Sequence, residues 1–206
     1  MVKVSRDQAA ANRRALVAAA GRLFRQKGID GVGVAELCEA AGMTHGALYS
    51  HFGSKDELAA DALVQGQAAS RTRMDSVIGS DPDLSAILDF YVSRRQRDNA
   101  VDCCPLLASA SEAARQSKSV RMAFAAAFGE LSETVKQALP ADGDQSHDRA
   151  MVIAASMIGT VAVARALRAA DPARSDALLE ASREALGELA NAPARTSRSS
   201  KGRTKR

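Results

Sequence analysis

The segment AAGMTHGALYSHFGSKDEL, residues 40–58, decides how the rest of the chain is interpreted. Gly42, Gly46 and Gly53 interrupt residues that otherwise favour helix. Among them lie Tyr49, Phe52 and two of the three histidines, although aromatic residues make up only 3% of the 206-residue chain. The pattern predicts short helices separated by turns, with ring side chains concentrated on them.

The turn at Gly42 separates a predicted helix over about residues 34–41 from a second over about residues 45–52. Thr44 precedes the second helix and is expected to be its N-cap, because a Thr hydroxyl can accept from the free amides of a first helical turn. Leu48 and Phe52 are four residues apart and share one face, which we expect to point inward. Their predicted partners are Leu23, Phe24 and Leu37. Two short helices joined by a glycine-containing turn are typical of a helix-turn-helix.

Helical patterns also account for the sequence on either side of this segment. Ser54 and Glu57 form a capping box that opens a long helix to about Val77. Pro82 and Pro105 are each expected at a first helical position. Further helices are predicted over about 5–27, 119–139, 150–164 and 172–190, with PADGDQS, residues 140–146, as a loop. No segment alternates as a strand does, so the sequence predicts an all-α fold of about nine helices.

The basic residues are concentrated at the two ends of the chain. Residues 1–56 hold eight Lys and Arg against five acids, and residues 192–206 hold six against none. The 135 residues between them hold fourteen against nineteen. A basic head and tail around an acidic body suggest that the ends meet a polyanion.

The composition indicates a protein of the cytoplasm. The N-terminus has no apolar core of a signal peptide, and the uncharged stretch 150–164 is too short for a bilayer span. Three cysteines do not make a disulfide framework. No motif for a metal or a cofactor is present, so we expect neither.

The outward face of the second short helix carries small residues and hydrogen-bonding side chains. Gly46 and Ala47 permit close approach to base edges, and an Ala methyl group can contact thymine. Amide groups at the starts of this helix and of the helix near Lys55 can receive phosphates. The candidate DNA-binding residues are Thr44, His45, Gly46, Ala47, Tyr49, Ser50, His51 and Lys55.

The segment NRRALVAAAGRLFRQKGIDGVGVAELCEAAGMTHGALYSHFGSKDEL, residues 12–58, resembles the DNA-binding domain of the tetracycline-repressor (TetR) family. The resemblance implies that His45 and Gly46 read bases. It also implies that four residues touch the phosphate backbone: Ala47, Tyr49, His51 and Lys55. Two positions depart from the family pattern. Gly33 lacks the hydroxyl of the usual Ser or Thr cap, and Ala35 replaces a base-contacting Arg of some relatives.

The resemblance also implies the division of the chain and its function. Residues 1–54 would bind DNA, residues 55–191 would bind a ligand and dimerise, and residues 192–206 would form a disordered basic tail. The function implied is that of a transcriptional regulator, usually a repressor, which binds a palindromic operator as a homodimer and is released by a small-molecule inducer. Activation, and an architectural DNA-binding protein without a ligand, are the alternatives within this class.

Dimerisation is expected through the last two helices, as in the family. The first of them carries small residues that allow close helix contact: Ala154, Ala155, Ser156, Gly159, Ala162 and Ala164. The last helix offers Leu178, Leu179, Leu186 and Leu189. The alternative is that both helices belong to the core of one subunit.

Apolar side chains in the helices of the body are candidates for lining an inducer pocket. They are Phe90, Tyr91, Cys103, Cys104, Met122, Phe124, Phe128 and Met157. If Pro105 begins a helix, Cys104 is its N-cap, and the helix terminus would lower the pKa of the thiol. Cys103 or Cys104 would then sense oxidants or electrophiles; otherwise they are small apolar residues. A cysteine-dependent enzyme is the distant alternative, because no histidine is placed beside the thiols.

Overall fold

The computed structural model describes residues 6–140 and 144–192, and these contain helices and no β-strand. The helices are α1 Arg6–Lys27, α2 Val34–Ala40, α3 His45–His51, α4 Lys55–Ile78, α5 Leu84–Tyr91, α6 Arg94–Asp98, α7 Pro105–Ser109, α8 Lys118–Gln137, α9 Asp144–Leu167 and α10 Pro172–Ala190. A 3-10 turn spans Ala113–Arg115. The all-α prediction is confirmed. Ser5 and residues 193–206 of the basic tail lie outside the described residues.

Helices α1 to α3 form the head of the molecule. Leu16 and Ala20 of α1, Leu37 of α2 and Leu48 of α3 are fully buried, and Phe52 directly after α3 is 4% exposed. These side chains belong to one apolar cluster, in which the predicted partners Phe24 and Leu23 also lie. The seven residues of α3 are too few to form a stable helix alone, so this packing holds the helix in place.

The long helix α4 connects the head to the body. The Ser54 hydroxyl accepts from the Glu57 amide at 3.2 Å, and Glu57 Oε2 accepts from the Gly53 amide at 2.8 Å. The predicted N-terminal cap is therefore confirmed. Helix α4 packs against α1 in the head and against α8 in the body, so the two units share its length.

Helices α5 to α10 form the body, whose centre is α9. Ile153 and Met157 of α9 are fully buried, and α9 packs against α8 and α10. Of the described residues, Ser146–Leu167 is the one segment long and apolar enough to cross a bilayer, and 39% of its apolar window is buried inside the protein. The structure thus uses it as a core helix with a partly uncovered face.

An ion network joins α6 to the last two helices. Arg97 is 5% exposed and donates from Nη1 to Asp176 Oδ1 at 2.6 Å and from Nε to Asp98 Oδ1 at 2.7 Å. These bonds hold the pKa of both carboxyls below their usual range. Arg165 of α9 donates to the carbonyl oxygens of Gln96 and Arg97 at 2.8 Å. A helix of five residues is fixed in this way by its neighbours.

The structure corrects several predicted helix boundaries. Asp83, not a residue before Pro82, is the N-cap of α5, because its Oδ1 accepts from the Ala86 amide at 2.8 Å; Pro82 therefore precedes the helix. The predicted helix 150–164 is the middle of α9, which begins at Asp144 inside the predicted loop. Helix α6 was not predicted. Pro105 does begin α7, with Cys104 as its N-cap, as expected.

Candidate nucleic-acid interface and sensor core

Helix α3 is capped and anchored by the residues that the sequence indicated. Thr44 has extended backbone angles, and its hydroxyl accepts from the Ala47 amide at 3.3 Å. Leu48 and Phe52 bury the inner face. The amides of His45 and Gly46, at the first turn, have no acceptor within the helix and point along its axis. The helix therefore presents its N-terminus and its outer face away from the core.

The candidate residues on and beside α3 differ in exposure. Tyr49 is 56% exposed, which makes it one of the most exposed large hydrophobic side chains among the described residues. Thr44, His45, Gly46 and Ser50 are exposed, whereas Ala47, His51 and Lys55 are half-buried. The Ser50 hydroxyl donates to the Ala47 carbonyl oxygen at 2.7 Å, so its proton is directed back to its own helix.

Two contacts brace the head around α3. The guanidinium of Arg13 lies 4.7 Å from the centre of the Phe52 ring and also pairs with Asp61 of α4. Lys27, the last residue of α1, pairs with Glu36 of α2. A cation over an aromatic ring and these partly exposed ion pairs add modest energies to the contacts among the helices of the head and α4.

Gly33 is the N-cap of α2, as the sequence indicated, and no side chain caps this helix. Its backbone is extended, with φ −84° and ψ 159°, and a Cβ built on it meets no atom within 4 Å. The departure from the family pattern therefore has no steric cause in this structure.

The candidate sensor core lies between α4, α5, α7 and α8. A cavity of about 20 Å³ is lined there by Gln67, Ser70, Arg71, Met74, Phe90, Tyr91, Cys104, Leu131 and Thr134. Such a volume is sufficient for about one water molecule. Tyr91 Oη and Ser132 Oγ are buried and make no hydrogen bond among the described residues. Two unused hydrogen-bonding groups therefore lie in or beside the apolar core.

The predicted pocket residues are only partly brought together. Phe90, Tyr91 and Cys104 line the cavity, and Cys103 is buried nearby with its thiol 3.6 Å from the Ala100 carbonyl oxygen. The other four predicted residues do not line this cavity. Met122 is 62% exposed on the outer face of α8, Met157 is fully buried in the core of α9, and the half-buried Phe124 and Phe128 pack on the core without lining the cavity.

The cysteines do not have the properties of a reactive site. Burial raises the pKa of the Cys104 thiol, and this outweighs the opposing effects of the Tyr91 hydroxyl beside it and of the Leu106 and Leu107 amides. The expected lowering of its pKa is therefore wrong. Its Sγ lies 3.6 Å from Gln67 Oε1, and no histidine contacts either thiol in the described part of the chain. Within that part, no group of three or more His, Cys, Asp or Glu is placed to hold a metal.

Contacts between head and body involve residues that sequence reasoning missed. Glu112 Oε2, from the segment after α7, accepts from the Ile29 amide at 2.8 Å. Gln116 Nε2 donates to Asp30 Oδ2 at 3.0 Å. Gly28 has φ +77°, and a Cβ built on it would lie 2.1 Å from Glu112 Oε1. The sequence indicated Gly28 only as the end of α1; nothing in it linked residues more than eighty positions apart.

Comparison with known proteins identifies both units. A family model described as bacterial regulatory proteins, tetR family, matches residues 16–62. A second, described as the transcriptional regulator LmrA/YxaF-like C-terminal domain, matches residues 83–184. Together they cover well over half of the chain. The first model covers most of the head and the start of α4, and the second covers most of the body.

Individual relatives agree with this result. An uncharacterised HTH-type transcriptional regulator of Mycobacterium tuberculosis is 25% identical over 169 residues, which are 78% of this chain and 87% of that protein. An HTH-type transcriptional repressor of the same organism is 45% identical over 58 residues, or 28% of this chain and 31% of the repressor. A TetR transcriptional regulator from Chloroflexus aurantiacus superposes with a TM-score of 0.70 at 26% identity, over 88% of this chain and 95% of that one. The chain therefore belongs to the TetR family of bacterial transcriptional regulators.

Proposed function

We propose that this protein is a homodimeric repressor that binds a palindromic operator through α3 and leaves it when a small molecule enters the body. The observation that carries the proposal is the construction of α3. Its inner face is fixed by Leu48 and Phe52, and its outer face exposes Tyr49 and His45. A rigidly held helix of two turns with polar outer side chains fits the major groove of DNA.

The roles of the residues follow from their places on the helix. His45 and Gly46, at the N-terminus of α3, are proposed to read base edges. Tyr49, His51 and Lys55 are proposed to contact phosphates, together with Thr44, Ala47 and Ser50 at the edges of the face. Because Ala35 has no long side chain, sequence reading rests on α3. Residues 1–54 form the proposed DNA-binding unit and residues 55–191 the sensing and dimerising unit, with residues 192–206 available for further phosphate contacts.

Homodimerisation is supported by the outer face of α9. Val152 and Val163 are 53% and 52% exposed, and Ala155 and Gly159 between them are exposed as well. A Cβ built on Gly159 meets no atom within 4 Å, so a second helix has room to approach. This uncharged face is what a two-fold contact between identical helices requires. Two heads on one dyad would read half-sites about 34–36 Å apart.

The other residues expected at the dimer contact have different places. Ala154 and Ala164 are fully buried, and Leu179 and Leu186 are buried as well, so these four pack within the subunit. Ser156, Ala162, Leu178 and Leu189 are half-buried at its edge. One face of the last two helices therefore lies in the core of the subunit, and another face is available for the proposed contact with a partner subunit.

The inducer is proposed to act through the core around Tyr91. The cavity there holds about one water molecule, whereas a site for a drug-sized ligand needs some hundreds of Å³. An inducer must therefore displace the lining side chains, and it favours the state of the body in which they have moved. Its differential affinity for that state limits how far operator binding falls.

Selection of bound sequences from a random duplex library tests the proposed function. The purified protein should enrich a palindrome, and Tyr49→Ala should weaken binding to the enriched duplex by about tenfold or more, as loss of one contact to DNA does. Met122→Ala, another exposed large side chain far from the head, is the matched control and should leave the affinity unchanged. Enrichment of no palindrome, or equal affinity of both variants, contradicts the proposal.

A further inference from the structure

A groove of about 470 Å³ runs between α1 and α4, away from the outer face of α3. Four arginines of α1 line it: Arg13, Arg14, Arg22 and Arg25. Its floor consists of small, mostly apolar residues: Val17, Ala18 and Gly21 of α1, and Ala62, Gly66 and Ala69 of α4. The groove thus combines an apolar surface with a rim of positive charge.

The positive charge of the groove is only partly compensated. Arg13 is paired with Asp61, and Asp102 lies at the inner end. Arg14 and Arg22 are exposed and make no ion pair or hydrogen bond within the part of the chain that the structure describes. The four lining guanidinium groups are offset by two carboxylates, those of Asp61 and Asp102. About two positive charges remain for an anion.

Arg25 is fixed at the inner end by the shape of the helix crossing. Its Nε donates to the Val101 carbonyl oxygen at 2.5 Å. A Cβ built on Gly21 or on Gly66 would lie 3.2 Å from Arg25 Nη1, so the two glycines make room for this guanidinium between the helices. Burial lowers the pKa of Arg25; nearby Arg73 and Arg22 add to this effect, and Cys103 and Asp102 oppose it. An anion beside Arg25 would add to the compensation that Asp102 provides.

We propose that this groove binds a small organic carboxylate. The carboxylate lies between Arg22 and Arg25, and its apolar part lies on the floor of small residues. Arg22 and Arg25 are three residues apart on one face of α1, a spacing that lets two guanidinium groups approach one anion. The site is separate from the sensor core around Tyr91. Because its walls belong to the head and to the helix that joins head and body, a ligand there contacts both units.

DNA is a poorer occupant of this groove than a small molecule. Its α4 residues, 62–69, follow Lys55 by seven to fourteen positions, which is roughly 10–21 Å along the helix. A duplex on α3 and at Lys55 therefore does not reach the inner end near Arg25. The apolar floor also suits a hydrocarbon group better than the phosphate backbone of DNA.

Calorimetric titration of the full-length protein with sodium octanoate tests the proposal, and it needs no operator. One octanoate per subunit should bind, and Arg14→Ala/Arg22→Ala should weaken binding at least about tenfold, as loss of charge-assisted hydrogen bonds does. Both arginines are exposed, so the variant should keep its fold; the single variant Arg22→Ala gives a second measurement. Arg121→Ala, an exposed arginine on α8, is the matched control and should bind octanoate like the wild type.

Three results would overturn the proposal. The first is octanoate binding that is absent, or equal in the wild type and the double variant, which would place the ligand elsewhere. The second is binding of 1-octanol with the same affinity and the same sensitivity to the two arginines, which would remove the role of charge. The third is binding of inorganic phosphate but not of octanoate, which would exclude an organic ligand. None of these results depends on whether α3 binds DNA.

Discussion

Cys104 illustrates a competition between two effects at a single residue. It is the N-cap of α7, where backbone amides stabilise a thiolate, yet it is 1% exposed. The free energy lost when a thiolate is removed from water exceeds the stabilisation that this helix terminus provides. Helix α7 has only five residues, and its terminus carries a partial charge at most. The pKa of the thiol is therefore raised, and Cys104 is better described as a small apolar residue of the sensor core.

Thiol labelling at neutral pH should therefore be slow in the folded protein. Cys38, Cys103 and Cys104 are each at most 2% exposed, so a reagent such as 5,5′-dithiobis(2-nitrobenzoate) has to wait for local opening. We expect three thiols to react at once in guanidinium chloride and none to react at a comparable rate without it. Fast reaction of one thiol in the native protein would restore the redox-sensing alternative.

At this scale the sequence predicts what local spacing determines. Thr44 and Ser54 were identifiable as caps, and Leu48 and Phe52 as an inward pair, because caps and i,i+4 contacts depend on a few neighbouring residues. Met122 and Met157 could not be separated by the same means. Both are apolar residues on long helices, and their exposure depends on how each helix is rotated against the body, which distant residues decide.

At the scale of elements, the contact between the α1–α2 loop and the segment after α7 joins head and body. Glu112 accepts from the Ile29 amide, and Gly28 leaves the space that this carboxylate occupies. The α1–α2 loop is therefore bonded to the part of the chain that runs from Cys104 through α7 to Glu112, beside the candidate sensor core. In the function proposed above, a shift of α7 on ligand binding would be transmitted through this contact to α1 and α2.

Glu112→Ala should weaken this link without removing the fold. The buried Ile29 amide loses its acceptor, and we expect the free energy of unfolding in urea to fall by about 1–2 kcal/mol. Hydrogen exchange of the Ile29 amide, followed by NMR, should become faster by about tenfold or more.

Glu112→Gln is the control for this experiment, since its amide oxygen can still accept from the Ile29 amide. It should show slower Ile29 exchange than Glu112→Ala. Equal protection of the Ile29 amide in the wild type and in Glu112→Ala would show that the bond does not hold the loop in solution.

The elements that the sequence failed to predict are short and contain few backbone hydrogen bonds within themselves. Helix α6 and the 3-10 turn have five and three residues, too few for periodicity to reveal. Arg165 of α9 and Asp176 of α10, both far along the chain, hold α6 in place through Arg97. The long helices α1, α4, α8 and α10 were predicted because their apolar residues recur over several turns and capping residues or prolines mark where some of them begin.

At the scale of the whole molecule, the apolar face of α9 is the feature that a single subunit leaves unexplained. Val152, Ala155, Gly159 and Val163 recur every three or four residues and form one uncharged stripe. The sequence indicated α9 as a contact helix but could not separate its two faces. That division depends on which side α8 and α10 cover, and it becomes visible only in the folded body.

Val163→Glu should separate the proposed dimer into monomers. A carboxylate placed on the proposed apolar contact is repeated in the partner, so the burial of two charges opposes association. We expect the dissociation constant from sedimentation velocity to rise at least tenfold.

Val77→Glu, at a 56% exposed position on α4, is the matched control and should sediment like the wild type. If Val163→Glu remained as fully associated as this control, another face of the subunit would have to form the dimer.

The dimer proposed on the uncharged stripe of α9 would have a consequence in the cell. If only the dimer binds a two-fold operator, the occupied fraction of the operator grows with the square of the protein concentration as long as most of the protein is monomeric. A twofold change in synthesis or degradation of the regulator then alters promoter occupancy about fourfold. Turnover of the regulator becomes a second input to the promoter, independent of any effector.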